Sequence, residues 1–365
     1  MFTRLQRGAG SMIPNLVVAQ RVLDKMRAAA ELHVQDETGE ALVGLYLPGS
    51  YGGGLPTLYV LDTISPDASA VRQFYTFQQG DARQDELIWW MQENWQVTRE
   101  RRAGLFGKNK WDVPLRYLGD WHKQPGFMIQ PSGGDLMTAL DWIEDPENRT
   151  DFLLTPIVTL GHPATISLSG VTTNFIMLPC DGEAMRIDWW YIDRTTRGFA
   201  PIAPVVYPDS QLPELAPYPW HLVNETRIEE ELARLEADGL FHSITLWKAQ
   251  PEPPLAICFL TARVGADRML ILITSHDYPA QPPSVRSAPF VQMGPDEDMY
   301  QVFANAWKKS QPVELDDVLP EQWTAERYLI DLVHAAERKL GLRGASTQPT
   351  AETTPKAEKN EEETR

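Results

Sequence analysis

The chain has 365 residues, 43% of them hydrophobic, and a formal net charge of −17 at pH 7. That length holds two domains with real cores, and that acidity excludes a partner gripped by its phosphate backbone, so no nucleic acid is expected. Two cysteines, Cys180 and Cys258, make no disulfide framework and suit a reducing cytoplasm, and no run of about 18 apolar residues spans a membrane.

In chain order, the amino-terminal segment lacks the long apolar core of a signal peptide. Residues 17–32 then carry apolar side chains at Val18, Val22, Leu23, Met26 and Ala30, a helical stripe. Strands are expected over 37–47 and 57–64. The glycine cluster between them is followed by no Gly-Lys-Ser/Thr, so it reads as a hairpin connection and not a phosphate loop. Leu87, Met91 and Trp95, four residues apart, mark a second helix over 81–103. The apolar run 115–118 reads as a buried strand that carries His122 and Gln124 on one face of its end. Pro125 and Gly126 break it, and Ser132 and Asp135 open a helix with Leu136, Ala139, Leu140 and Ile143 on its apolar side.

Further strands are expected over 152–160, 164–168, 174–178 and 185–192. Residues 194–221 are rich in proline and read as a linker or a long connection. A helix over 225–237 turns Ile228, Leu232 and Leu235 inward. Three runs, 241–248, 254–261 and 268–275, read as an antiparallel meander. Beyond Gly344 the apolar periodicity ends, and residues 344–365 read as disordered.

The spacing His122-x-Gln124-x7-Ser132-x2-Asp135 resembles the metal-binding motif of the JAB/MPN (JAMM) metalloproteases, His-x-His-x7-Ser-x2-Asp, with Gln124 where that family has its second histidine. Gly119, Trp121, Pro125, Gly126 and Pro131 are similar to the bacterial branch. The resemblance covers residues 14–193 and implies an α+β chain whose first domain is an MPN-like α/β domain with a mixed sheet. It implies zinc held by His122, Gln124 and Asp135, with an open position for water whose pKa falls to about 7. Glu37 would be the general base, from a Glu-x2-Gly-x3-Gly pattern that keeps Gly44 but has Glu40 for the first glycine. Ser132 would donate to the oxyanion. An amide oxygen is a harder and poorer zinc donor than an imidazole, so Gln124 implies weaker zinc binding or another metal.

Tyr278-Pro279-x2-Pro282-Pro283, after a helix and three strands, is similar to a signature of the ubiquitin-conjugating-enzyme fold, and Trp323 with the helix expected after it resembles the segment beyond that fold's active site. No cysteine or histidine lies between Tyr278 and Trp323, and a thioester needs a thiol. Residues 222–343 therefore read as a non-catalytic binding module of that fold, joined by the linker 194–221.

Together the resemblances imply a cytoplasmic, zinc-dependent isopeptidase or C-terminal processing protease of a bacterial ubiquitin-like system. Its partners would be a ubiquitin-like protein or its conjugates, with activating-enzyme and ligase partners, and no membrane. Two other readings stay open: an inactive MPN pseudoenzyme that acts as a scaffold, and a hydrolase of some small amide.

Overall fold

The computed structural model describes residues 13–49, 54–67, 69–74, 76–78, 82–106, 109–148, 150–163, 173–180, 182–248, 255–291, 298–315 and 323–342. The strand expected over 164–168 and the segment 344–365 lie outside them. The chain is α+β and divides into two compact units, Met1–Glu225 with Lys248–Leu255, and Thr226–Trp247 with Ala256–Arg365.

The first unit opens with β1 (Asn15–Ala19), α1 (Gln20–Leu32), β2 (Thr38–Leu47), β3 (Thr57–Ile64) and a hairpin of β4 (Val71–Gln73) and β5 (Thr76–Gln78). Next come α2 (Ala82–Phe106), β6 (Leu115–Lys123) and α3 (Gly133–Glu144). The strands β7 (Phe152–Leu154), β8 (Ile157–Leu160), β9 (Phe175–Cys180), β10 (Glu183–Asp188), β11 (Trp190–Asp193), β12 (Ala200–Pro201) and β13 (Pro204–Tyr207) follow, then the short α4 (Trp220–Val223). Apart from the hairpin, these strands form one mixed sheet in the order β12-β11-β7-β6-β2-β3-β1-β13, and β6 also pairs with β8, which leads to β10 and β9.

Three differences from the sequence reading have physical causes. Residues 15–19 are a strand and not the start of a helix: Leu16, Val17, Val18 and Ala19 are all buried, between the parallel partners β3 and β13. A continuous, branched apolar run of this kind is what a parallel strand covered on both faces needs. Residues 152–160 break into β7 and β8 at Pro156, which has no N–H for a ladder. The proline-rich 194–221 contains β12 and β13, which sit at the two ends of the sheet order, where prolines are tolerated.

The second unit consists of α5 (Glu225–Ala237), β14 (Leu240–Trp247), β15 (Ala256–Arg263), β16 (Arg268–Thr274), β17 (Ser284–Pro289), α6 (Met299–Lys309), β18 (Gln311–Pro312) and α7 (Leu329–Leu340). Its five strands form an antiparallel sheet in chain order. Glu231 on α5 is wholly buried and is bonded by Arg227 Nε at 2.8 Å, by the Tyr278 hydroxyl, and by the Leu329 N–H at 2.8 Å. Trp323 Nε1 donates to the Pro279 carbonyl at 2.7 Å. One carboxylate thus ties the helix, the proline stretch and the start of α7 together. Cys258 is fully buried in β15, and burial pushes its thiol up to about 12, which leaves it inert as a nucleophile.

Candidate active site

β6 runs beside β2 in the middle of the larger sheet, so its residues alternate between two packed faces. Trp121 faces one side and is wholly buried, with Nε1 donating to Thr63 Oγ1 at 2.9 Å. Thr63 Oγ1 in turn donates to Glu40 Oε2 at 2.8 Å, and the Ser65 hydroxyl holds the other oxygen of Glu40. Glu40 is therefore a structural carboxylate behind the motif strand. Opposite His122 in the register is Gly39. A Cβ there would meet the Trp121 carbonyl at 2.2 Å and Phe77 of β5 at 2.7 Å, so the glycine lets the hairpin lie close.

The other face opens on a cavity of about 630 Å³, lined by Glu37, Phe77, Tyr117, Asp120, His122, Gln124, Ser132, Asp135 and Trp142, among others. All five residues singled out by the sequence motif line it. Glu37 stands just before β2, its N–H donating to the Gln73 carbonyl at 2.9 Å. Gln124 follows β6 directly, its N–H donating to the Val158 carbonyl at 2.9 Å.

Ser132 is the N-cap of α3, accepting from the Asp135 N–H at 3.2 Å, while its own N–H donates to Asp135 Oδ2 at 2.5 Å. This reciprocal capping box fixes the Asp135 carboxylate at the helix start. The other carboxylate oxygen, Oδ1, lies 3.8 Å from His122 Nε2. The Gln124 amide nitrogen lies 3.1 Å from the same ring nitrogen, and Gln124 Oε1 is buried with no hydrogen-bond partner.

Burial lowers the pKa of His122, against the opposing pull of the Asp135 carboxylate. Glu37 is pushed up, first by burial and then by the charge of Asp135, with Lys123 pulling the other way. Lys123 is itself buried, its Nζ donating to the Val34 carbonyl at 2.9 Å.

Among the described residues no group of three or more histidine, cysteine, aspartate or glutamate side chains could hold a metal ion. The His122 group reaches three donors only by including Gln124. Two donors that share one tetrahedral zinc at the usual bond lengths stand about 3.3 Å apart. The separations of 3.1 and 3.8 Å around His122 Nε2 bracket that value. A half-turn of the amide exchanges its nitrogen and oxygen, which would turn the unpartnered Oε1 toward the ring. With the amide so turned, the donor types and the two separations from His122 are compatible with a divalent ion.

Sequence reasoning missed two residues beside these. Asp120 precedes His122 by two positions, so its place on the same face follows from the strand period. Tyr117 has the opposite parity. It reaches the cavity because the β2–β6 register slips between Leu42/Gly119 and Val43/Tyr117, a bulge of the kind that re-aims side chains beside functional sites. Gly119 has φ 131°, and a Cβ there would lie 2.0 Å from the Leu154 carbonyl. The Tyr117 hydroxyl, its pKa raised by burial and by Asp120, donates to the Asp120 carboxylate.

No family description and no curated protein matches this chain. Among solved structures, it is similar to a protein of Desulfitobacterium hafniense determined in solution, at 12% identity and a TM-score of 0.29, over 53% of this chain and 93% of that one. A likeness of that size carries no argument about function. Among the described residues no helix is long and apolar enough to cross a membrane.

Proposed function

We propose that this chain is a metal-dependent isopeptidase of the JAB/MPN type, which releases a ubiquitin-like protein from conjugates or trims its C-terminus in the cytoplasm of a bacterium. The observation that carries the reading is the convergence of His122, Gln124 and Asp135 in one cavity that Glu37 and Ser132 also line. His122, Gln124 and Asp135 would hold the ion. A bound divalent ion, zinc in the first place, supplies Lewis-acid polarisation of a scissile carbonyl and of a water.

The remaining work falls to side chains. Glu37, with its affinity for protons raised by burial and by Asp135, is suited to take a proton from water at its carboxylate and return it to the leaving amine. Ser132 Oγ accepts from the Asp135 N–H, so its own O–H remains able to donate to an oxyanion. The second unit is read as a ubiquitin-conjugating-enzyme-like module lacking the catalytic cysteine, its buried Cys258 being inert, that would dock the modifier, with activating-enzyme and ligase partners acting elsewhere.

A fusion of a ubiquitin-like protein to a reporter through a C-terminal amide tests this. Zinc-loaded chain should cleave it, and Glu37→Gln should not. Equal cleavage by both, or none by either, contradicts the proposal.

One observation favours a second reading. The Gln124 amide nitrogen lies 3.1 Å from His122 Nε2, where a side-chain contact takes up the ring nitrogen that a metal would need, as in a scaffold that has given up its metal. A chain that neither binds zinc nor cleaves, and gains neither with Gln124→His, would belong to that class.

A further inference from the structure

We infer that Gln124 narrows the site's preference for zinc over a harder divalent ion such as manganese, by making its donors one nitrogen and two oxygens. This rests on the metal-site reading above.

Three observations support it. Gln124 is 6% exposed, its Oε1 has no hydrogen-bond partner, and a half-turn of the amide would present that oxygen to the His122 ring. Its backbone N–H donates to the Val158 carbonyl at 2.9 Å, and its amide lies 3.1 Å from His122 Nε2, which places the side chain beside the ring. Asp135 is oriented by the capping box, with Oδ2 taken by the Ser132 N–H and Oδ1 nearer His122. The set therefore contains one imidazole, one neutral amide oxygen and one carboxylate oxygen.

Imidazole nitrogen suits zinc, whereas carbonyl and carboxylate oxygens suit magnesium, calcium and manganese. Exchanging a nitrogen for an oxygen costs zinc more than it costs manganese. Zinc still binds the more tightly of the two, as the ordinary order of divalent affinities requires, but by a smaller margin than with two imidazoles.

The test uses the full chain, stripped of metal with a chelator and titrated separately with Zn²⁺ and Mn²⁺ by calorimetry, the bound Mn²⁺ being followed by electron paramagnetic resonance. Gln124→His should tighten Zn²⁺ on the order of tenfold and leave Mn²⁺ within about threefold. Gln124→Glu, which keeps the length of the side chain, should tighten Mn²⁺ at least as much as Zn²⁺. It serves if the histidine variant does not fold.

Asp135→Asn separates the two levels of the argument. If the wild type binds neither ion, or binds both as well after Asp135→Asn, the metal-site reading fails and this inference with it. Binding that depends on Asp135, with a Zn²⁺ to Mn²⁺ ratio unmoved by either Gln124 variant, overturns the role of Gln124 alone.

Discussion

His122 Nε2 and Asp135 Oδ1 lie 3.8 Å apart, one at the end of a central strand and the other in the first turn of the next helix. Neither side chain is held there by the other. His122 is carried by a strand paired with β2, β7 and β8, and Asp135 by its bonds to Ser132. The pair is preorganised by two independent backbones, as a ligand site requires.

Two glutamates three residues apart should behave in opposite ways. Glu37→Gln should lower turnover by about 10²–10⁴ and leave melting unchanged, because Glu37 lines the cavity. Glu40→Ala should cost about 1–3 kcal/mol of stability, because Thr63 and Ser65 would lose the acceptor they share. Activity assays beside thermal melts separate the two. Loss of turnover without loss of stability in the Glu40 variant would reverse the assignment.

Gly119→Ala should destabilise the first unit by about 3 kcal/mol or more. Both its φ of 131° and the Leu154 carbonyl 2.0 Å from the added Cβ oppose the change. Denaturant unfolding measures it. A melt within experimental error of the wild type would mean that the β6 bulge is not as described.

Acid should weaken the fold through His221. It is half-buried beside Trp90 and Trp220, its Nδ1 has no hydrogen-bond partner, and its desolvation lowers its pKa from 6.5 to about 4. The unfolded chain takes up this proton as pH falls through about 6.5, while the folded chain resists until about 4. The stability that neutral His221 contributes is therefore complete above the unfolded value and lost progressively down to the folded one. Unfolding midpoints between pH 7 and 5 should fall, and His221→Phe should flatten that slope. An unchanged slope would remove His221 as a source.

The convergence of the candidate residues on one cavity is legible because His122, Gln124, Ser132 and Asp135 lie in one strand–loop–helix segment, where local rules of strand period and helix capping apply. The side chains that shape the cavity are not. Tyr117 arrives through a register slip, and Phe77 through a hairpin that packs over Gly39, and both depend on long-range pairing. The first strand is hidden in the sequence for the same reason. Its run of apolar residues suits a helix face or a strand buried on both sides, and only its partners β3 and β13 decide between them.

The most direct measurement is the divalent metal content of the purified full chain, by elemental analysis after equilibration with zinc, for the wild type and for Asp135→Asn. The amide retains an acceptor for the Ser132 N–H, so the cap survives while the charged ligand is lost. Wild-type chain should carry about one ion and the variant little or none, with similar melting temperatures before zinc is added. Metal bound equally by both chains, or by neither, would contradict the metal-site reading.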